Sequence, residues 1–493
     1  MEYNVYSKLL IKKYYEEHPI TRPQLDSFNW LIDHGLKRII QEVGKVEFEV
    51  TPEGVKEAYL VAVDIEVGKA QIIDIQGPRI IYPYEARLRQ LTYSAPVRVR
   101  FQYYEDGELK EDRWVKIGEL PVMVRSKICN TYGLSEEELL KVYEDPLDPG
   151  GYFIINGVDR VIVMEENLAP NQFYVQENNG EYVGKMLSVR GGRKIPITIE
   201  LKKDGILYLT FSRLENVPLI PFVKVLGIKD NEIAQYLGNY EETFINLLEF
   251  ADQDYESIIL GKIKIPGLTK EEKQAKYERL YEIVDNYLLP HIGYDPSLRR
   301  LKAINLLKYA SKLLKLAHGE IKEDDRDHYM NKRILMAGDL VGELFRSAFY
   351  AQLQNLKYIY QRNAKRKKIT SIEEFVSVDV FNQRIETAFA TGQWVGGKTG
   401  ISQLLDRTNY LATVWALNRV TTSLEEENEM IEARRTHGTH WGRLDPIDTP
   451  EDKSIGLRKA LTLLSKITVD IEEEKILPII KELGAKLEYE RNS

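Results

Sequence analysis

Two histidines three positions apart, His437 and His440, stand in a stretch that also carries Arg434, Arg435, Trp441, Arg443, Asp445, Pro446, Asp448, Pro450, Glu451 and Asp452. On a helix, imidazoles at that spacing would share a face and could hold a metal ion. Gly438 between them and the prolines behind them oppose a regular helix, and the only further ligands of metal type nearby are the acids from Asp445 onward. A structural or contact loop is the better reading, with a metal site as the alternative. Asp445 and Asp448 could form an acid–base pair, but nothing in the sequence sets their separation or burial. No catalytic residue and no metal ligand is assigned to this chain.

Cations give a second pattern. Lys357, Arg362 and the run Lys365–Lys368 interleave with Tyr358 and Tyr360, which suits a phosphate backbone as well as it suits a solvated helix end. Lys398, Arg407, Arg419, Arg434, Arg435 and Arg443 recur over the last hundred residues. Arginines spread over one compact segment fit a surface that grips phosphates, and ordinary surface ion pairs explain them equally well. Gly396-Gly397-Lys398-Thr399 resembles the tail of a phosphate-binding loop, but its earlier glycine is wrongly spaced, so it reads as a turn.

The elements that must position these residues are of mixed type. Gln24–Glu42 has helical periodicity, Lys45–Val50, Tyr59–Ile65 and Val97–Tyr103 read as strands, and Trp114–Ile117 answers them across a turn. Ser135 and Glu138 form a capping box. From Asp148 to Gly227 the chain is β-rich; helical patterns follow at Glu271–Leu289, Leu301–His318 and Asn331–Ile359, the last interrupted at Gly338. Thr370 starts a capped helix with Glu373 at its third position, and a further helix is expected from Ile401 to about Arg419. Together these predict an α+β multidomain chain with a β-rich module, a largely helical insert and a final segment of loops and one helix.

With 493 residues the chain can bury several cores. A net charge of −8 opposes a basic coat but not a local basic patch. One cysteine, Cys129, excludes an internal disulfide or a thiolate-rich zinc site. No apolar run spans a bilayer and the N-terminus lacks a signal-peptide core, so a cytoplasmic protein with no membrane contact is expected.

Eight segments then fall in a known order. Glu85–Tyr93, Gly118–Arg125, Gly150–Gly157, Asp324–Arg333, Ala390–Trp394, Gly400–Arg407, His437–Gly442 and Pro446–Pro450 resemble the second-largest subunit of multisubunit RNA polymerase. The chain stops soon after the last of them, as does the N-terminal half of the split form found in some archaea.

The resemblance implies a protrusion (1–150 and 320–390) with an inserted lobe (151–319), then a fork (391–460) and the start of an external domain (461–493). It implies that Gln403, Arg407, Arg419, Arg434, Arg435 and Lys398 approach the DNA template or RNA–DNA hybrid, while His437, His440, Trp441, Pro446 and Pro450 brace a loop. This chain would bind no cofactor; in the assembly Mg2+ would be held by the largest subunit. Expected partners are the complementary C-terminal half of the second subunit (B prime), the largest subunits, template and hybrid, and general initiation factors. A free-standing nucleic-acid-binding protein on the same scaffold, or a metal-dependent hydrolase, are the alternatives. The chain departs from the family at Ala416, Asn418, Asp445 and Asp452, and its stretch Thr422–Glu432 carries five glutamates that would repel phosphate.

Overall fold

The computed structural model describes residues 2–51, 54–74, 77–251, 253–262, 273–365, 371–422, 431–469, 471 and 473–484. Thr370, most of the basic run ending at Lys368 and most of the acidic stretch 422–432 lie outside them. The chain forms two compact units, one of residues 1–167 with 334–493, the other of residues 168–333.

The first unit is built on an antiparallel sheet whose strand order is Lys45–Phe48, Ala58–Val67, Ser94–Glu105, Glu108–Pro121. Val97, Val99, Phe101 and Tyr103 alternate inward and are buried, as period-two patterning requires. They join one core with residues of helices Arg22–Trp30, Leu36–Val43, Ala337–Lys365 and Val378–Thr391. A π-turn, Leu31–Gly35, links the first two helices, so the expected helix is continuous but locally widened. Polar side chains tie the layers. Gln24 donates to the Ile162 carbonyl (3.0 Å) and accepts from the Ala337 amide (3.1 Å), and Gln352 donates to the Ile117 carbonyl (2.7 Å). The Ser135–Glu138 capping box is present, with the Ser135 amide 2.8 Å from the Glu138 carboxylate.

Three helical expectations change. Ser402–Leu404 is a strand, because it pairs antiparallel with Arg160–Ile162, and the helix begins only at Tyr410, where Asn409 accepts from the Ala412 amide (2.8 Å). Lys332–Leu335 is also a strand, and the long helix starts after it at Ala337. Glu373 falls in a 3-10 turn, Ile372–Phe375, because Ser371 turns its hydroxyl to Glu111 (2.7 Å) instead of capping.

The second unit is an antiparallel five-stranded meander from Tyr174–Asn178 to Leu214–Pro218, followed by helices that end with Arg299–Ala317. Its core is its own, running from Phe173 to Leu316. Its limits differ from the expected 151–319 insert, since Phe153–Ile155 and Val158–Ile162 pair with each other and with Ser402–Leu404 in the first unit.

Candidate nucleic-acid interface

Three short strands place the arginine segment. Arg419–Thr422 runs parallel to Met164–Leu168 and antiparallel to Arg458–Ala460, while Gln403 sits opposite Val161 in the neighbouring small sheet. The Arg419 guanidinium donates to the Gln403 amide oxygen at 3.1 Å and lies 3.9 Å over the Trp415 ring. Trp415 is itself fixed by its indole N–H, which donates to Asp448. Stacking on the indole holds the planar guanidinium in one orientation. Its Nε is buried and makes no hydrogen bond. Burial, then Arg458, disfavour the Arg419 charge, against the opposing pull of Asp406 and Asp448. A partly desolvated cation that makes no ion pair among the described residues would be stabilised by an anionic oxygen at its exposed edge.

Arg407 lies elsewhere and is paired within the chain. It reaches Asp159 (2.7 Å) and Asp148 (3.2 Å) and lies 4.7 Å over the Tyr152 ring. Arg87 shares the same ring (5.7 Å) and the other oxygen of Asp159 (2.9 Å). Buried Glu144 lies 3.5 Å from Arg87, and burial holds the Glu144 carboxyl above its ordinary value. Two arginines bridged by Asp159, with Asp148 and Glu144 each holding one of them, form a joint, and an open cleft of about 360 Å³ borders it, lined by Arg87, Asp159, Leu404 and Arg407.

Lys398 is likewise engaged. It pairs with buried Glu165 and lies 3.8 Å from Glu343. The next residue, Glu166, accepts from Lys459 at 2.8 Å, with both side chains nearly inaccessible. Successive strand residues point to opposite faces, so the adjacent glutamates each anchor a different lysine. Removing one member of such a buried pair typically costs about 3–5 kcal/mol, because the other charge is left uncompensated.

The stretch from Arg434 to Asp452 is a set of capped turns. Arg434 donates to the carbonyls of Lys453 (2.6 Å) and Ile455 (3.0 Å), which ties both ends of the stretch together. His437 accepts from the Thr439 amide (3.2 Å), and its own amide points to Nδ1 of buried His440 (3.4 Å). Trp441 is 67% exposed, so its ring packs little against the loop. Asp445 accepts from the amides of Ile447 (2.9 Å) and Asp448 (3.2 Å), and Asp452 accepts from the Ser454 hydroxyl and from its amide (2.8 Å), which together lower its pKa. Asp445 and Asp452 therefore serve as turn caps. Among the described residues no group of three or more His, Cys, Asp or Glu is placed to hold a metal ion.

Of the six expected contact residues, the structure brings Gln403 and Arg419 together. Lys398, Arg407 and Arg434 are held by separate partners, and Arg435 is exposed. Sequence reading missed Trp415, Arg458, Asp159, Glu165, Glu166 and Lys459. Two adjacent acids directly after the apolar run Val161–Met164 were the one visible signal that buried cations must exist somewhere.

Residues 19–384 match the family described as RNA polymerase beta subunit, and residues 403–467 match RNA polymerase Rpb2, domain 3. The chain belongs to the RNA polymerase beta subunit family. It is 38% identical to the DNA-directed RNA polymerase subunit Rpo2N of Methanocaldococcus jannaschii, across 96% of this chain and 98% of that one. It is 37% identical to Rpo2N of Methanococcus vannielii, across 97% and 99%. Against subunit Rpo2 of Saccharolobus shibatae, 36% identity extends over 96% of this chain but only 43% of the relative. These relatives are subunits of a nucleotidyltransferase, DNA-directed RNA polymerase. Among the described residues no helix is long and apolar enough to cross a membrane.

Proposed function

We propose that this chain is the B double-prime subunit of a DNA-directed RNA polymerase, the N-terminal half of a split second-largest subunit, and forms one wall of the nucleic-acid channel. The observation that carries this reading is the similarity to Rpo2N over nearly the whole of both chains. In it, unit 168–333 is the lobe, the remainder to about residue 390 is the protrusion, 391–460 is the fork and the external domain begins at 461. The chain works in the cytoplasm with its complementary half B prime, the largest subunits, the template, the RNA–DNA hybrid and general initiation factors. Mg2+ belongs to the largest subunit, and this chain alone is inactive.

Within that frame Arg419, oriented by Gln403 and Trp415, is the contact with the hybrid or template backbone, since its stacked, half-buried guanidinium makes no ion pair among the described residues. Arg435 adds charge at the exposed surface. Arg407, Lys398 and Arg434 hold the shape of the site through their carboxylate and carbonyl partners.

Two measurements test this. A tagged copy expressed in its source should co-purify with the largest subunit and a chain resembling B prime; purification as a stable monomer favours the free-standing binding protein. In a reconstituted polymerase, Arg419→Ala is expected to shorten elongation-complex lifetime several-fold at low salt, with the difference from the parent narrowing towards about 0.3 M, the pattern of a lost phosphate contact. Unchanged lifetimes at both salt levels remove Arg419 from the interface.

A further inference from the structure

The hairpin between strands Glu181–Arg190 and Arg193–Leu201 turns on Gly191 and Gly192, both at positive φ (57° and 79°). Two consecutive left-handed residues make the tightest hairpin link, and glycine takes that conformation without strain. The turn sets Arg190 and Arg193 directly opposite each other in the ladder. Like charges so opposed are destabilising, which asks for a compensating partner. What the fold supplies is one aromatic ring: Tyr294 lies under both guanidiniums, at 5.7 and 5.5 Å, and remains 37% exposed.

Carboxylates do not close the gap. Among the described residues neither arginine makes an ion pair, Asp285 is taken by Arg299 at 2.7 and 2.5 Å, and Asp295 accepts from the Ser297 amide at 2.8 Å. Lys194 adds a further exposed cation to the tip. Beneath it, burial and then the neighbouring cations, Arg190 among them, lower the pKa values of His291 and Lys302. In a chain of net charge −8, this turn is a concentrated cationic point on a rigid support.

We propose that the Arg190–Arg193 turn and Tyr294 form a second nucleic-acid site, in which the guanidiniums bind phosphodiester oxygens and the tyrosine face packs on the adjoining nucleotide. Guanidinium forks match phosphate geometry, and an exposed ring beside them suits a base or sugar, which an acidic peptide would not supply. The site is in the second unit and independent of Arg419. It rests on the polymerase reading for the presence of a nucleic acid.

The test is fluorescence anisotropy of the full chain with a labelled single strand of about 20 nucleotides, titrated across roughly 50–300 mM salt. R190A/R193A is compared with the parent, with R190Q/R193Q as a second pair and thermal melts to show that each is folded. Both pairs are expected to weaken binding on the order of tenfold at about 0.1 M salt and to make the slope of log affinity against log salt shallower by about 1.4. Unchanged affinity and slope in the folded variants overturn the site. A labelled polyglutamate peptide that binds as tightly as the strand, and is lost in the same variants, overturns it in favour of an acidic protein segment. Co-purification with polymerase subunits is untouched by either result, so failure here is distinct from failure of the polymerase reading.

Discussion

Lys302 has no exposed surface, and two of its three ammonium hydrogens are engaged: it donates to the carbonyls of Val284 (2.9 Å) and Asp285 (3.0 Å) in the last turn of helix Lys273–Tyr287. Carbonyls of a last helical turn run short of amide partners, and the cation also meets the negative end of the helix dipole. Burial still dominates and brings its pKa from 10.5 to about 8. Below pH 8 the lysine is protonated in both folded and unfolded chains. Between pH 8 and 10.5 the folded chain releases the proton while the unfolded chain keeps it, so this group makes stability rise with pH. Chemical denaturation should show the parent gaining on the order of 2–3 kcal/mol over Lys302→Met across that window, whatever their offset at pH 7. Parallel stability curves for the two proteins would exclude a depressed pKa. Single residues of this kind were the least legible part of the sequence. Arg419 could be named from its surroundings in the chain, but its unmatched Nε depends on Trp415, Gln403 and Asp448 converging through strand pairings that no local pattern records.

Elements were more legible, because periodicity is local. The sheet strands and the Ser135–Glu138 box were readable, whereas Ser402–Leu404 was not: three residues become a strand only through the partner strand at Arg160–Ile162. Gly338 shows the same limit from the other side. Read as an interruption of a helix, it is instead inside helix Ala337–Lys365, at the point where that helix meets Arg22–Trp30. A Cβ there would fall 2.1 Å from the Ser27 carbonyl oxygen and 2.4 Å from its carbon, which is backbone and cannot swing away. The same approach lets Gln24 and Ser27 accept from the Ala337 and Gly338 amides at 3.1 Å each, capping the helix from outside. Helix propensity alone would make Gly338→Ala stabilising by about 1 kcal/mol. The clash predicts the opposite sign, a loss on the order of 1–3 kcal/mol. Gly342→Ala is the control, since its Cβ would meet only the side chains of Leu31 (3.1 Å) and Ile39 (3.7 Å), which can adjust. Denaturation midpoints that rise for Gly338→Ala would refute the close approach.

At the scale of the molecule, the two units bury separate apolar clusters. One joins residues from Phe28 to Val163 with residues from Ala337 to Leu417; the other lies wholly between Phe173 and Leu316. The shift from strand-like to helical patterning pointed to an insert, but it marks a change inside unit 168–333, where a meander is followed by helices, and so it could not give the limits of the unit. A unit with its own core and its own sheet satisfies its hydrophobic and ladder requirements internally. A size of 166 residues is also well above that at which a single core becomes marginal. Residues 168–333 excised as a separate polypeptide are therefore expected to fold alone, with one cooperative thermal transition and mixed helix–strand circular dichroism. Gly184 gives that experiment a built-in probe of native packing. Its missing Cβ makes room for the Phe173 ring, which would stand 2.0 Å away and which stacks on Tyr309 at 4.9 Å. In the excised unit Gly184→Ala should lower the transition by several degrees, the shift that a loss of about 1–2 kcal/mol produces in a domain of this size. A broad transition with exposed apolar surface, indifferent to Gly184→Ala, would mean that the unit needs the rest of the chain to reach its packed state.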